Sequence, residues 1–127
     1  MTKIYLASPL FTEYERKKVQ SVASTLRNAG YWVYVPMEHT IEDAWEMPNH
    51  EWGLEVFRED VKAIKECDMV YCIYYGLYSD SGTAWECGFA YALGKPVHLI
   101  DESNDEVSLM MVNGAENSKD FWNKNQT

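Results

Sequence analysis

An almost wholly apolar run, MVYCIYY at residues 69–75, constrains the fold of this chain more than any other feature. A strand this apolar has to be covered on both faces, which is typical of parallel sheets whose strands are connected by helices. Shorter strand patterns occur at 3–8, 32–35 and 97–100, and segments with helical spacing of apolar residues separate them. With 127 residues in all, the sequence predicts one α/β domain over residues 1–127.

Three helices are predicted between these strands. The first begins at Thr12, where a T-x-x-E pattern that ends at Glu15 forms a capping box, and it stops before Gly30. The second helix covers about 51–66, and the third covers about 83–93. Because the third helix is apolar nearly all round, we expect it to be well buried.

Alternating strands and helices favour a flavodoxin-like, three-layer α/β/α fold, with four or five parallel strands in the order 2-1-3-4. In such a sheet, ligands bind beyond the carboxyl ends of strands 1 and 3. We therefore expect residues 8–11 and 75–86 to share one crevice. The polar stretch at 37–50 is predicted to be a loop, and its length is typical of loops with a function, such as lids.

The charge of the chain restricts its partners. Its formal net charge is -9, which disfavours nucleic acid polymers and anionic membranes and raises no objection to a small neutral ligand. No apolar run of about 18 residues and no basic leader pattern occur, so we expect no membrane span and a cytoplasmic location.

The cysteines and the common cofactor motifs indicate what the chain does not use. Cys67, Cys72 and Cys87 form no C-x-x-C pair, which predicts free thiols in a reducing compartment. The sequence has no G-x-G-x-x-G or Walker loop, no G-x-S-x-G elbow, and no histidines at metal-ligand spacing. These absences weaken the hypotheses of NAD, ATP, zinc and acyl-transfer chemistry.

Three carboxylates are candidates for chemistry. Glu86 is the one charged residue of the third helix, and a buried carboxylate near a helix N-terminus can act as a nucleophile or stabilise a cation. Asp80 precedes that helix and would complete a carboxylate pair suited to glycosyl transfer. Each has a plainer interpretation: Glu86 as a solvated helical residue, Asp80 as a turn or cap residue, and Asp60 as a solvated residue beside the apolar stripe of the second helix.

Four segments resemble the nucleoside 2-deoxyribosyltransferase family. They are KIYLASPLF at 3–11, DVKAIKECD at 60–68, DSGTAWECGFAYALGKPV at 80–97 and SLM at 108–110. The D-x-G-T-x-x-E pattern, with G-x-A and G-K-P after it, is the most specific part. The segments follow the order and spacing of the family across most of the chain.

This resemblance implies a flavodoxin-like fold and a two-step exchange of bases on 2-deoxyribose. It assigns the nucleophile to Glu86 and the tyrosine that orients it to Tyr5. The two aspartates on the side of the base correspond to Asp60 and Asp80, and Phe11 corresponds to an aromatic residue that packs on the base. No metal or organic cofactor is implied; the substrates are a deoxynucleoside and a free nucleobase.

The remaining predicted contacts with the substrate come from the crevice and from a neighbouring subunit. Ser8, Pro9 and Gly82 lie in the predicted crevice and are expected to bind the substrate. The resemblance further implies a homo-oligomer built from dimers, up to a hexamer, in which Ser108 and Met110 are contributed to the neighbouring site.

Two departures from the family pattern leave alternatives open. Ser108 stands where the family often has Asn, and the related deoxynucleoside 5′-monophosphate N-glycosidases have a serine there, which favours a hydrolase. The acidic segment SPLFTEYE at 8–15 lacks arginine for a phosphate, which favours the transferase. The chain is also shorter than those transferases of the family that bring a C-terminal carboxylate into the site, and the resemblance therefore assigns no such role to Thr127. A non-catalytic sensor of nucleosides or nucleotides is the third hypothesis.

Overall fold

The computed structural model describes residues 1–39, 41, 43–103 and 106–125. Four strands and five helices follow one another along this part of the chain. They are β1 (Lys3–Ala7), α1 (Glu13–Asn28), β2 (Trp32–Tyr34), α2 (Asn49–Glu66), β3 (Met69–Tyr74), α3 (Ser81–Ala92), β4 (Val97–Asp101), α4 (Leu109–Asn113) and α5 (Ser118–Asn125).

The four strands form one parallel sheet in the order β2-β1-β3-β4. Strand β1 lies in the middle, where Tyr5 pairs with Tyr34 on one side and with Val70 on the other. The flavodoxin-like order predicted from the sequence is therefore confirmed. Reversal of the strand order between β1 and β3 opens a crevice at their carboxyl ends.

The alternation of side chains along β1 separates the two faces of the sheet. Tyr5 and Ala7 belong to the larger core cluster, which α2 and α3 cover. Ile4 and Leu6 belong to the second cluster, which α1 covers. The larger cluster thus places Tyr5 on the same side of the sheet as the third helix.

Helix α1 has the predicted ends. The Thr12 hydroxyl group accepts a hydrogen bond from the Glu15 amide, and the Glu15 carboxylate accepts one from the Thr12 amide. Gly30 follows the helix with a φ of 99°, a conformation that L side chains rarely adopt. Other predicted boundaries differ by two residues or fewer, which is the usual uncertainty of helix ends.

The expectation that α3 is well buried is wrong. Its buried residues are Thr83, Cys87 and Ala90, which face the sheet. On the opposite face, Trp85 remains 49% exposed and Tyr91 65% exposed. A single chain covers only one face of this helix. The apolar side chains on its other face therefore remain exposed.

The segment predicted as a loop at 37–50 contains two short 3-10 turns, Pro36–Glu38 and Ala44–Glu46, before α2 begins at Asn49. Thr40 and Glu42 lie outside the described residues.

The acidic segment after β4 forms the two short helices α4 and α5. Phe121 of α5 is buried and packs edge-on against Tyr74, with ring centroids 5.4 Å apart. This contact anchors the C-terminal helix on the larger core cluster. Thr127 lies outside the described residues.

All three cysteines are buried free thiols, as predicted. The thiol of Cys72 has a raised pKa because it interacts with Cys87 and is buried. Among the described residues, no helix is long and apolar enough to cross a membrane.

Candidate active site

Glu86 and Tyr5 meet at the centre of the candidate site. Glu86 lies in the second turn of α3, and Tyr5 lies in the middle of β1, where its side chain is fully buried. The Tyr5 hydroxyl group donates a hydrogen bond to Glu86 Oε2. The pairing that the resemblance implied is therefore present in the structure.

A cavity of about 520 Å³ opens beside this pair, between α2 and α3. Three acidic and several aromatic or aliphatic side chains line it. The lining residues are Phe57, Asp60, Val61, Ile64, Asp80, Ser81, Gly82, Trp85 and Glu86. Its size is within the range of cavities that hold small ligands.

Burial dominates the electrostatics of the pair. It raises the pKa of Glu86 to about 7, the hydrogen bond from Tyr5 acts in the opposite direction, and the charges of Asp60 and Asp80 raise it further. Burial and the Glu86 charge hold the pKa of Tyr5 far above its ordinary value. Tyr5 therefore stays a hydrogen-bond donor, while Glu86 changes its charge near neutral pH.

Asp80 is both a cavity residue and a helix cap. Its Oδ2 atom accepts hydrogen bonds of 2.9 Å from the Thr83 amide and from the Thr83 hydroxyl group. The plainer interpretation of Asp80 as a cap is therefore confirmed. Asp80 also lines the cavity, so the cap residue is in reach of a ligand there. Gly82 lies close to this carboxylate. A Cβ atom at position 82 would lie 3.3 Å from the same Oδ2, so a larger residue there would crowd Asp80.

Asp60 faces the cavity from α2 and is half-buried. Burial and the neighbouring Glu59 raise its pKa to about 6, while His39 and the Tyr34 hydroxyl group lower it. The plainer interpretation of Asp60 as a solvated helical residue is therefore wrong. A carboxyl group with this pKa can hold a proton at mildly acidic to neutral pH.

The other predicted substrate-binding residues are absent from the wall of this cavity. Ser8, Pro9 and Phe11 follow β1 at the carboxyl edge of the sheet, where Ser8 Oγ donates to the Pro9 carbonyl and Phe11 is 76% exposed. Ser108 and Met110 line a separate groove of about 430 Å³ between α3 and α4. Their contacts with a substrate stay predictions.

Sequence reasoning missed the aromatic and aliphatic part of the wall. Phe57 and Trp85 meet edge to face with ring centroids 5.4 Å apart, and both are about half exposed at the cavity. Phe57, Val61 and Ile64 recur at helical spacing and form an apolar stripe along α2. Their spacing indicated a packed face, and only the approach of α3 shows that part of this face remains open.

No three His, Cys, Asp or Glu side chains among the described residues form a cluster suited to a metal ion.

Comparison with known proteins agrees with this geometry. Residues 4–121 match the family model described as nucleoside 2-deoxyribosyltransferase. The chain belongs to this family. A nucleoside deoxyribosyltransferase of Limosilactobacillus fermentum is 29% identical over 128 residues, which cover 90% of this chain and 76% of that protein. The chain is therefore an enzyme of the nucleoside deoxyribosyltransferase family.

Solved structures support the fold of this family member. A 2-deoxyribosyltransferase from Bacillus psychrosaccharolyticus superposes with a TM-score of 0.79 at 35% identity, and the match covers 99% of this chain and 93% of that one. A CMP N-glycosidase of Clostridium botulinum shares the fold, with a TM-score of 0.60 at 22% identity and 97% coverage of both chains.

Proposed function

We propose that this protein transfers 2-deoxyribose between nucleobases, with Glu86 as the nucleophile. The observation that carries the proposal is the hydrogen bond from Tyr5 to Glu86 beside a cavity that Asp60 and Asp80 also line. A buried carboxylate held in one orientation can attack a sugar carbon, and its charge stabilises an oxocarbenium-like transition state.

The reaction proceeds in two displacements. A Glu86 carboxylate oxygen attacks C1′ of the deoxynucleoside, the bond between C1′ and the base nitrogen breaks, and the base leaves with a proton from an acid. This forms a glycosyl ester on Glu86. A second base then attacks C1′ through its nitrogen, gives its N–H proton to the deprotonated acid, and releases the Glu86 carboxylate. Two inversions at C1′ leave the configuration retained.

Asp60 is the better candidate for the acid that protonates the leaving base. Its pKa of about 6 leaves a protonated fraction at the pH at which Glu86, with a pKa of about 7, begins to ionise. The Oδ2 atom of Asp80 is already the acceptor of two hydrogen bonds from Thr83. Asp80 therefore orients the base, and Asp60 supplies the proton.

The charge of the cavity favours a neutral nucleoside over a nucleotide. Its described lining includes three acidic residues and neither lysine nor arginine. A 5′-phosphate would meet carboxylates there without a cation to offset its charge. The preference for deoxyribose follows from the transition state, because a 2′-hydroxyl group withdraws electrons from the developing cation.

Ser108 is the observation that favours a second function, the hydrolysis of deoxynucleoside 5′-monophosphates. Its backbone amide donates a 2.7 Å hydrogen bond to the Tyr74 hydroxyl group, at the start of α4. Met110, two residues further along, is 87% exposed. We propose that both residues reach the site of a second copy of the chain, where Ser108 contacts the 5′ end of the substrate.

An exchange assay separates the candidate functions. The protein is incubated with deoxyinosine and free adenine, and in parallel with a deoxynucleoside 5′-monophosphate alone. We expect deoxyadenosine to form in the first reaction. Release of base only from the monophosphate would replace the transferase with the hydrolase. Ligand binding without turnover in either reaction would favour the sensor.

A further inference from the structure

A column of three stacked rings extends from the partner of Glu86 to the edge of the sheet. The rings of Tyr5 and Tyr34 have centroids 5.4 Å apart and lie within 13° of parallel. On the other side of Tyr34, the His39 ring lies at 4.2 Å and within 8° of parallel. Because Tyr5 and Tyr34 are paired in register on β1 and β2, the sheet fixes the first of these stacks.

Tyr34 lines a small cavity together with Glu59 and Ala63, which lie before and after Asp60 on α2. The hydroxyl group of Tyr34 is buried, and no described residue completes a hydrogen bond of standard geometry with it. Asp60 is the neighbouring carboxylate on this part of α2 that this hydroxyl group influences: burial and then the Asp60 charge raise the pKa of Tyr34, and the Tyr34 hydroxyl group lowers that of Asp60. A buried hydroxyl group without an acceptor is unfavourable, which favours this contact over any alternative orientation of Asp60.

Other charges act on the same two groups. Glu59, next to Asp60 on α2, raises the pKa of both Asp60 and Tyr34, and Glu86 raises that of Tyr34 from α3. His39 is the group that lowers the pKa of Asp60 by its charge. In this acidic surrounding, the Tyr34 hydroxyl group is the neutral donor that favours the ionised form of Asp60.

We propose that Tyr34 is a positioning residue for Asp60: its hydroxyl group directs the carboxylate, and its ring is clamped between Tyr5 and His39. The same ring supports Tyr5, which orients Glu86. Tyr34 thus links the two carboxylates, from α2 and α3, through one side chain of β2. The role of Asp60 as an acid rests on the proposed function. The position of the Tyr34 ring rests on the stacking geometry alone.

The first test measures the Asp60 carboxyl group directly. The ¹³C signal of Asp60, assigned with Asp60→Asn, is titrated by NMR in the wild type, in Tyr34→Phe and in Tyr75→Phe. Tyr75 is the matched control, because its hydroxyl group is also buried without a hydrogen-bond partner among the described residues, yet Asp60 is not among the groups that raise its pKa. We expect the wild type to titrate near pH 6.

Tyr34→Phe keeps both ring stacks and removes only the donor. Asp60 should then bind its proton at least about three-fold more tightly, which moves its titration upward by about half a pH unit. Tyr75→Phe should leave the Asp60 titration at the wild-type value. An Asp60 titration that is the same in Tyr34→Phe and in the wild type would overturn the inference.

The second test uses turnover. In the exchange assay, Tyr34→Phe should lower kcat about ten-fold and change KM by less than about two-fold, because the acid is misplaced and the base still binds. Tyr75→Phe should change neither constant, because Tyr75 packs against the second core cluster and is absent from the wall of the cavity, contrary to the crevice predicted for residues 75–86. The two proposals fail separately. If the wild-type protein exchanges no base, the proposed function is overturned, whereas the NMR titration of Asp60 still decides whether Tyr34 acts on that carboxylate.

Discussion

The two helices that form the walls of the cavity hold their acidic side chains in different ways. On α3, Glu86 accepts a hydrogen bond from Tyr5, and Asp80 accepts two from Thr83. On α2, Asp60 has no such donor at standard hydrogen-bonding geometry among the described residues, and burial raises its pKa to about 6.

This difference separates orientation from proton transfer. A nucleophile has to be held at one angle to C1′, and the α3 wall has the fixed contacts that this requires. A general acid has to gain and lose a proton near the working pH, and the α2 wall has the group with a suitable pKa. This division of roles predicts losses of very different size when single carboxylates are replaced.

Removal of the Glu86 charge should have the largest effect. Glu86→Gln keeps an acceptor for Tyr5 but cannot form the glycosyl ester, so the exchange rate should fall at least about 1,000-fold. The measurement is kcat for conversion of deoxyinosine and adenine to deoxyadenosine. A variant that retains a tenth of the wild-type rate would contradict the role of Glu86.

Asp60→Asn should lower kcat/KM about 100-fold and change its pH profile. The wild-type profile should be bell-shaped with an optimum between about pH 6 and 7, because activity requires one proton on the pair of Glu86 and Asp60. In the variant, the loss of activity above pH 7 should disappear. The rise on the acidic side should move to higher pH, since it then reports the ionisation of Glu86 alone and no longer the first ionisation of the pair, which the lower pKa of Asp60 dominates.

Asp80→Asn is the matched comparison, because it removes a charge from the opposite wall and keeps the cap. We expect its kcat/KM to stay within about ten-fold of the wild type. A loss larger than that of Asp60→Asn would reverse the roles of the two walls.

Glu86→Gln should also make the protein more stable at alkaline pH. The pKa of Glu86 in the folded protein is about 7 and its ordinary value is 4.5, so the folded state binds the proton more tightly and wild-type stability falls as pH rises from about 4.5 through 7. The variant should gain about 2 to 3 kcal/mol relative to the wild type at pH 8, and this difference should vanish below about pH 4. Urea unfolding at both pH values measures it.

The smallest expected effect concerns the helix cap. Asp80→Ala removes the acceptor for the Thr83 amide and should lower the free energy of unfolding by about 1 kcal/mol, whereas Asp80→Asn should change it by a few tenths. Thermal unfolding of the two variants measures the difference. Equal midpoints for both variants would show that the cap contributes nothing to stability.

Much of the fold follows from local patterns. The apolar run at 69–75 predicted a central parallel strand, and the capping box of Thr12 and Glu15 predicted the start of α1. Both features depend on residues close together in the chain, which is why sequence reasoning could find them. The strand order followed because few topologies cover such a sheet on both faces.

The candidate site was predictable only in part. The resemblance identified Glu86 and Tyr5, which are 81 residues apart and which no local pattern connects. The cavity wall of Phe57 and Trp85 was missed, since it depends on the distance between α2 and α3. Tyr34 was missed for the same reason, because its position depends on the register between β1 and β2.

A covalent intermediate on Glu86 can be detected directly. The protein is mixed with a deoxynucleoside in the absence of an acceptor base, quenched in acid, digested and measured by mass spectrometry. We expect one 2-deoxyribosyl group on the peptide that contains Glu86, lost when adenine is added before the quench and absent from Glu86→Gln. Release of base without any adduct, at a rate that Glu86→Gln shares, would contradict the claim.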